Sequence, residues 1–535
     1  MLKEIFCSKL ADKKIVFNKG LNVVIGDDDA ANSIGKSSAL LLIDFAFGGD
    51  SYSDNNDITD HVGDHDVYMH FVFDDVDYYF QRNVSHPNII HECDSSYRVI
   101  GTMSDNEYKS KLMGLYHIPS DFLTFREVVG LFSRIYGKEN YREKEPLYPG
   151  HKCNGSERVV YLVKLLNKYQ KVQQKYELKE ESDRKFTAYK GVVDMKIVAN
   201  LTPTEYEENN TKIQKLNQQI ENIKVQISSD AIDLTAEQLE KIGRLKARLG
   251  RIQSEKSLIL ANIERLQGNL HETEQNFEID MERVKQMFPY AELKRIEEVN
   301  AFHSNLSSIL KEEVTTKLRK EERTLDFESK EEAEIIDRIA KVAAETKPES
   351  LAIDRLVSTM QTVEQLISGQ KSYDTLSVLK NEKTDHNRQY KDVMTNVCTE
   401  VQQIINNKME ELNCSIMGKG RKVPMINLSP SNYKVFCQND TGMGTSFRAL
   451  ITFDLAMLGL TSLPFLIHDS LIFKQVEDES IDGIVELFNS ENEKQLFIAM
   501  DKLPSYHENV QKVLKDHQVL KLSKDHPLYG KKWNN

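Results

Sequence analysis

At 535 residues the chain exceeds what a single hydrophobic core supports, so more than one structural unit is expected. Its formal net charge is −13 and no region is net basic, which argues against a blanket electrostatic grip on nucleic acid and leaves room only for a local basic stripe. Six scattered cysteines with no C-x-x-C pair argue against a disulfide framework or a zinc site, and suit a reducing cytoplasm.

The first residues, MLKEIFCSKLADKK, lack the apolar core of a secretory signal. Residues 1–155 mix short β-rich runs with Gly, Asp and Asn turns. KIVF and LNVVIG read as strands, and DVYMHFVFDDVDYYFQR alternates as a hairpin does. The second strand runs into VVIGDDDAANSIGKSS and then the apolar helical run SSALLLIDFAF. Gly35-Lys36-Ser37 at the start of that helix fits the end of a phosphate-binding loop. Its amides would cradle phosphates, the lysine would reach the terminal oxygens, and the hydroxyl would bind Mg²⁺. Asn32, Ser33, Ile34, Gly35, Lys36, Ser37 and Ser38 are therefore the candidate nucleotide contacts. The loop departs from the usual pattern: Ala30 stands where a glycine is expected, and Asp27, Asp28 and Asp29 precede it. Those carboxylates read either as a solvated loop tip or as helpers of the metal. Further on, FSRIYGKENYREKEPLYPGHK interleaves basic and aromatic residues. Arg134, Lys138, Arg142 and Lys144 are candidate contacts to a DNA backbone, although Glu139, Glu143 and Glu145 dilute the charge. Packing against neighbouring helices is the competing reading of that loop.

Residues 156–420 are almost free of proline and rich in Glu, Lys, Gln and Leu, a composition of long helices. Ile213, Leu216, Ile220, Ile223 and Ile227 alternate in steps of three and four, and Leu239 to Leu270 continue the theme. Such an a/d seam buries itself against another helix, as in a coiled coil; a globular helical bundle is the alternative. Candidate breaks fall at NLTPT (200–204), SSDAIDLT (228–235), MFPY (287–290), TKPES (346–350) and KSYDT (371–375). Folding back near 287–291 pairs 236–286 with 292–345, 205–227 with 351–370, and 156–198 with 376–418. An antiparallel arm returns the chain to its origin, so residues 1–155 and 421–535 are expected to form one domain.

Residues 421–535 return to a β-rich texture, with strands at PMINL, YKVFC, LPFLIH and QLFIAM. Leu450 to Ile467 is nearly long enough to span a bilayer, but it contains Asp454 and is broken by Pro464; it reads as a buried helix and a buried strand. NDTGMGTSFRALITFDLAML opens a helix with a Gly-rich turn at Thr441, Gly442 and Gly444, a second anion-binding helix start. LPFLIHDS then ends an apolar strand in Asp469, where a carboxylate completes a Mg²⁺ shell with Ser37.

In this order (phosphate loop, long helical insertion, Gly-rich helix start, apolar strand with Asp) the chain resembles the ABC-type ATPases of the SMC/RecF/RecN group. The N-S-I-G-K-S loop, the FLIHDS strand and EEVNAFHSNL resemble the ATPase subunit of the ABC-three-component group, to which the Lamassu-type anti-phage systems belong. The resemblance implies a split α/β ATPase head built from both chain ends with an antiparallel coiled-coil arm inserted. It also implies ATP and Mg²⁺ as ligands, and Thr441 and Gly442 contacting ATP on an opposing subunit of a homodimer. Double-stranded DNA and companion subunits, including an effector nuclease, are the implied partners, in the cytoplasm and without a membrane. A housekeeping RecF/SMC-type repair or chromosome-organising ATPase and a non-hydrolysing nucleotide-gated scaffold are the rival readings.

Departures from the family pattern bear on catalysis. Ser470 follows Asp469 where a catalytic Glu is usual, so hydrolysis is expected to be slow, with His468, Glu477 and Asp478 as candidates to position water alongside Lys36 and Asp469. No Gln occurs from 82 to 168 to serve as the family's Q-loop residue, and Asp501 follows QLFIAM where a switch histidine is expected. No C-x-x-C marks the turn near 287–291, so a metal hook is not expected there.

Overall fold

The computed structural model describes residues 1–27, 34–119, 121–195, 198–229, 236–275, 293–344, 350–418, 422–437, 442–501 and 503–531. The chain divides into two units, Met1–Lys179 with His386–Asn535, and Glu180–Asp385.

In the first unit, thirteen strands form three sheets among the described residues. β1 (Leu2–Phe6), β2 (Lys14–Val16), β4 (Asp66–Phe73), β5 (Val76–Asn83), β6 (Ile89–Cys93) and β7 (Val99–Ser104) make an antiparallel sheet in the order β2-β1-β4-β5-β6-β7. β4 alternates buried and half-buried residues along its whole length, the period-2 pattern that places one face on a core. Asp74 and Asp75 join β4 to β5 with φ of 49° and 60°, the two positive values that a tight hairpin turn needs.

The second sheet is parallel and draws on distant parts of the sequence. β3 (Leu21–Ile25), β8 (Ser133–Arg134), β11 (Phe465–His468), β12 (Gln495–Met500) and β13 (Gln518–Lys521) run in the order β13-β3-β12-β11-β8. β3, β11 and β12 are buried at every position, which explains their uninterrupted apolar runs. β9 (Pro424–Ser429) and β10 (Asn432–Cys437) form a separate hairpin.

The helix Lys36–Ala46 lies against both larger sheets. At its C-terminal end Phe47 packs on Phe71 of β4 and stacks on Phe465 of β11, with ring centroids 5.7 and 3.9 Å apart. A helix covered on nearly all sides carries no polar face, so SSALLLIDFAF reads as apolar throughout. Gln495 of β12 clamps β1 by accepting from Leu2 N at 2.9 Å and donating to Leu2 O at 2.8 Å. The helix Met443–Leu460 is long and apolar enough to cross a membrane, yet Phe447 to Leu458 are buried within this unit and Asp454 is ion-paired there. Gly483, in the helix Asp478–Ser490, lets that helix meet the end of the helix Ser350–Met417; a Cβ there would stand 2.4 Å from Ile416 O.

The second unit is helical in its described residues except at Met195 and 198–202. Ile220, Leu356 and Val363 are buried together, with Ile213, Leu216, Ile223, Met360 and Ile367 packed on them, so 205–227 does pair with 351–370. The helices Ala236–Gln275 and Leu293–Ala344 pair as well, with Lys256 reaching Glu332 at 2.6 Å. Ion pairs still reached by solvent contribute little, so the apolar seam carries the pairing.

One expected break is absent. The helix Ser350–Met417 runs straight through KSYDT. The segment holds neither Gly nor Pro, and its hydroxyls bond back into the helix, Ser372 Oγ to Ser368 O at 3.0 Å and Thr375 Oγ1 to Lys371 O at 2.8 Å. The preceding helix stops at Asp194, and NLTPT caps the next, where Thr202 and Glu205 make a reciprocal cap at the start of Pro203–Ser229. The turn expected at 287–291 lies outside the described residues.

Candidate functional site

Parallel strands bring their carboxyl ends to one edge, and in open α/β sheets that edge is where ligands bind. Here the ends of β3, β11 and β12 deliver Gly26, Asp469 and Asp501. The helix Lys36–Ala46 begins at the same edge, with Gly35 at its N-cap in the left-handed region at φ +96°. A side chain on Gly35 would be strained there and would stand 2.5 Å from Leu528 Cβ.

Ser37 Oγ donates to Asp469 Oδ2 at 2.6 Å, and the amide of Tyr136 donates to the same oxygen at 3.1 Å. Ser470 Oγ reaches Asp469 Oδ1 at 3.3 Å. The amide of Asp469 donates to Arg134 O, continuing the β8–β11 pairing. Lys36 Nζ lies 2.8 Å from Asp501 Oδ1, and Lys474 Nζ 3.1 Å from Asp501 Oδ2. Gly26 makes room for this contact, since a Cβ there would fall 2.3 Å from Asp501 Oδ1 and 2.8 Å from Lys36 Cδ.

Lys36, Ser37, Tyr136, Asp469, Ser470 and Lys474 line a cleft of about 560 Å³, within the roughly 300–1,000 Å³ usual for small-molecule sites. Lysine, hydroxyl and carboxylate at a helix N-terminus suit a polyphosphate with Mg²⁺. That ion keeps several waters and needs only one or two protein oxygens besides phosphate, so Ser37 and Asp469 are a sufficient donor set. Among the described residues no group of three His, Cys, Asp or Glu side chains forms a denser metal site.

The sequence-based candidates divide sharply. Ile34, Gly35, Lys36, Ser37, Ser38 and Asp469 meet around the cleft. Asn32, Ser33 and Thr441 lie outside the described residues, as do Asp28 and Asp29. Gly442 caps the helix Met443–Leu460 and Gly444 sits in its first turn, where a Cβ would stand 2.8 Å from Gln475 O; neither lines the cleft of its own chain.

His468 requires correction. Successive side chains on a strand point to opposite faces, so with Asp469 at the cleft His468 turns into the core, where its Nε2 meets Asp454 Oδ2 at 2.8 Å. Glu477 and Asp478 are exposed and do not line the cleft. None of the three lines the cleft.

The basic loop is corrected as well. Arg134 is fully buried, bound bidentately to Asp454 at 2.5 and 2.6 Å and donating to Asn140 O and Pro146 O. Lys138 reaches Asp44 Oδ2 at 2.8 Å inside the unit, beside Arg126. Neither is available to a phosphate backbone. Arg142 stacks over Tyr148 at 3.7 Å and pairs with Glu145 while remaining exposed, and Lys144 is exposed as well.

Sequence reasoning passed over Lys474, Gly26 and the strip from Pro527 to Lys531 that walls the cleft. Asp501 figured only as the residue in place of a histidine. An apolar strand closing on Asp was the available signal, identical in kind to FLIHD.

The family profile described as "Uncharacterised protein conserved in bacteria (DUF2326)" matches residues 400–531. Among the curated proteins none matches. The chain is similar to a solved Smc head domain with coiled coil and joint from Pyrococcus yayanosii, at 15% identity and a TM-score of 0.44, covering 98% of this chain and 94% of that one. It is also similar to the Smc head domain with an extended coiled coil bound to the C-terminal domain of ScpA from Pyrococcus furiosus, at 12% identity and a TM-score of 0.34, covering 98% and 92%. A third, the SmcHead bound to the C-winged helix domain of ScpA, has 9% identity and a TM-score of 0.33, covering 96% and 91%.

Proposed function

We propose that this chain is an SMC-like ATP-binding subunit whose nucleotide head is assembled from its two ends. The observation that carries the reading is the 2.6 Å hydrogen bond from Ser37 to Asp469, residues 432 positions apart that share one cleft with Lys36. Lys36 neutralises the β- and γ-phosphates, the start of its helix favours anions, and Ser37 and Asp469 hold Mg²⁺. The bound ion supplies charge neutralisation and orients the phosphates. Two heads close on ATP, with Gly442 and Gly444 of one chain facing the nucleotide of the other. Closure reports DNA engagement to companion subunits, including an effector, in anti-phage defence in the cytoplasm. The support for that wider role is the motif resemblance.

The test is equilibrium ATP binding with Mg²⁺. Lys36→Ala is expected to lower affinity at least tenfold and to abolish ATP-dependent dimerisation; unchanged affinity overturns the assignment.

Ser470 favours a second reading, a nucleotide-gated scaffold that binds ATP without turning it over. Serine cannot act as a carboxylate base, and its hydroxyl is already directed to Asp469. Steady phosphate release that disappears in Asp469→Asn rules this out.

A further inference from the structure

Asp501 carries two lysines at once. Its carboxylate is 4% exposed, with Lys36 Nζ on one oxygen at 2.8 Å and Lys474 Nζ on the other at 3.1 Å. A structural ion pair needs one cation. The second comes from the turn just after Asp469, keeps 40% of its side chain exposed, and lines the same cleft as Lys36, Ser37 and Asp469. Two ammonium groups converge on one carboxylate beside the cleft, an arrangement that the several oxygens of a polyphosphate can also satisfy. Gly26 is part of the arrangement, because any side chain there would displace Asp501 from Lys36.

We propose that Asp501 stands in for the terminal phosphate of a nucleotide, and that Lys474 is a second phosphate-binding lysine. In the nucleotide-free head the carboxylate holds both lysines at the mouth of the phosphate site. A bound polyphosphate takes both cations from it. Lys36 and Lys474 then contact phosphate oxygens from two sides, and Asp501 no longer carries both. Because the exchange trades one negative charge for several, it favours triphosphates over monophosphates. The inference rests on the nucleotide reading above and adds two residues to it.

The experiment is isothermal titration of the full chain with ATP, inorganic triphosphate and AMP in the presence of Mg²⁺. Lys474→Ala is expected to weaken ATP and triphosphate about 10- to 100-fold, the usual worth of a charge-assisted contact, and to leave AMP unaffected. Asp501→Asn removes the competitor at constant shape and is expected to tighten triphosphate several-fold. Lys474→Ala with wild-type affinity overturns the proposal. So does Asp501→Asn if it folds and binds triphosphate no better than wild type. If Asp501→Asn does not fold, the partly exposed Lys474 still decides the matter. Failure of the nucleotide reading looks different: wild type binds no ATP, or Lys36→Ala changes nothing. Lost binding in Lys36→Ala beside intact binding in Lys474→Ala sinks only the present inference.

Discussion

Asp454→Asn tests the buried charge cluster that backs the candidate site. Asp454 is fully buried on the helix Met443–Leu460, and its carboxylate accepts from Arg134 Nε at 2.5 Å, Arg134 Nη2 at 2.6 Å and His468 Nε2 at 2.8 Å. Burial is the largest influence and would raise its pKa, but the Arg134 guanidinium and the His468 hydrogen bond together outweigh it and hold the carboxyl below the usual range. Asparagine keeps the shape and removes the charge. Arg134, itself fully buried, then has no counter-ion, and an amide nitrogen replaces an acceptor facing Arg134 or His468. Removing one partner of a buried pair costs about 3–5 kcal/mol. At about 1.5 °C per kcal/mol for a unit of about 330 residues, the melting midpoint is expected to fall by roughly 4–7 °C. Scanning calorimetry measures this, with the double variant Arg134→Met/Asp454→Leu as control, because replacing a whole buried pair by apolar groups is often neutral. ATP affinity is expected to drop in the single variant, since Arg134 O anchors the Asp469 amide. A midpoint within 1 °C of wild type for Asp454→Asn refutes the reasoning.

Two further outcomes follow from packing and charge. Asp44 is buried; burial pushes its pKa up, but Arg126 and Lys138 outweigh it and hold the carboxyl well below the carboxylate range. A depressed folded pKa contributes stability that is present above the unfolded value of about 3.9 and is lost as pH falls through and below it. Melting midpoints between pH 7 and pH 3 are therefore expected to fall more steeply for wild type than for Asp44→Asn, whose midpoint is lower at pH 7. Gly483→Ala drives a methyl to within 2.4 Å of Ile416 O, a backbone atom that cannot rotate away. A loss of about 1–3 kcal/mol is expected from urea denaturation, and none if the two helices separate freely.

Local signals were legible wherever neighbouring residues decide the structure. The runs LNVVI, FLIH and QLFIAM lie in β3, β11 and β12, and the Asp-Asp turn closes the β4–β5 hairpin. β8 was invisible, being two residues long and a strand only because Ile467 and His468 lie beside it. The basic loop misled for a related reason. Its composition suits phosphate contacts, but whether Arg134 meets solvent depends on Asp454, 320 residues away.

Sequence alone thus determined the apolar periodicities, the helix start at Gly35-Lys36-Ser37 and the strand ending at Asp469, because each follows from local sterics and alternation. Only tertiary structure decided that Ser37 meets Asp469, that Lys36 and Lys474 share Asp501, and that His468 and Arg134 point inward. The reason is that burial and charge pairing are relations between residues hundreds of positions apart, and no local pattern of residue types encodes which carboxylate a given cation reaches.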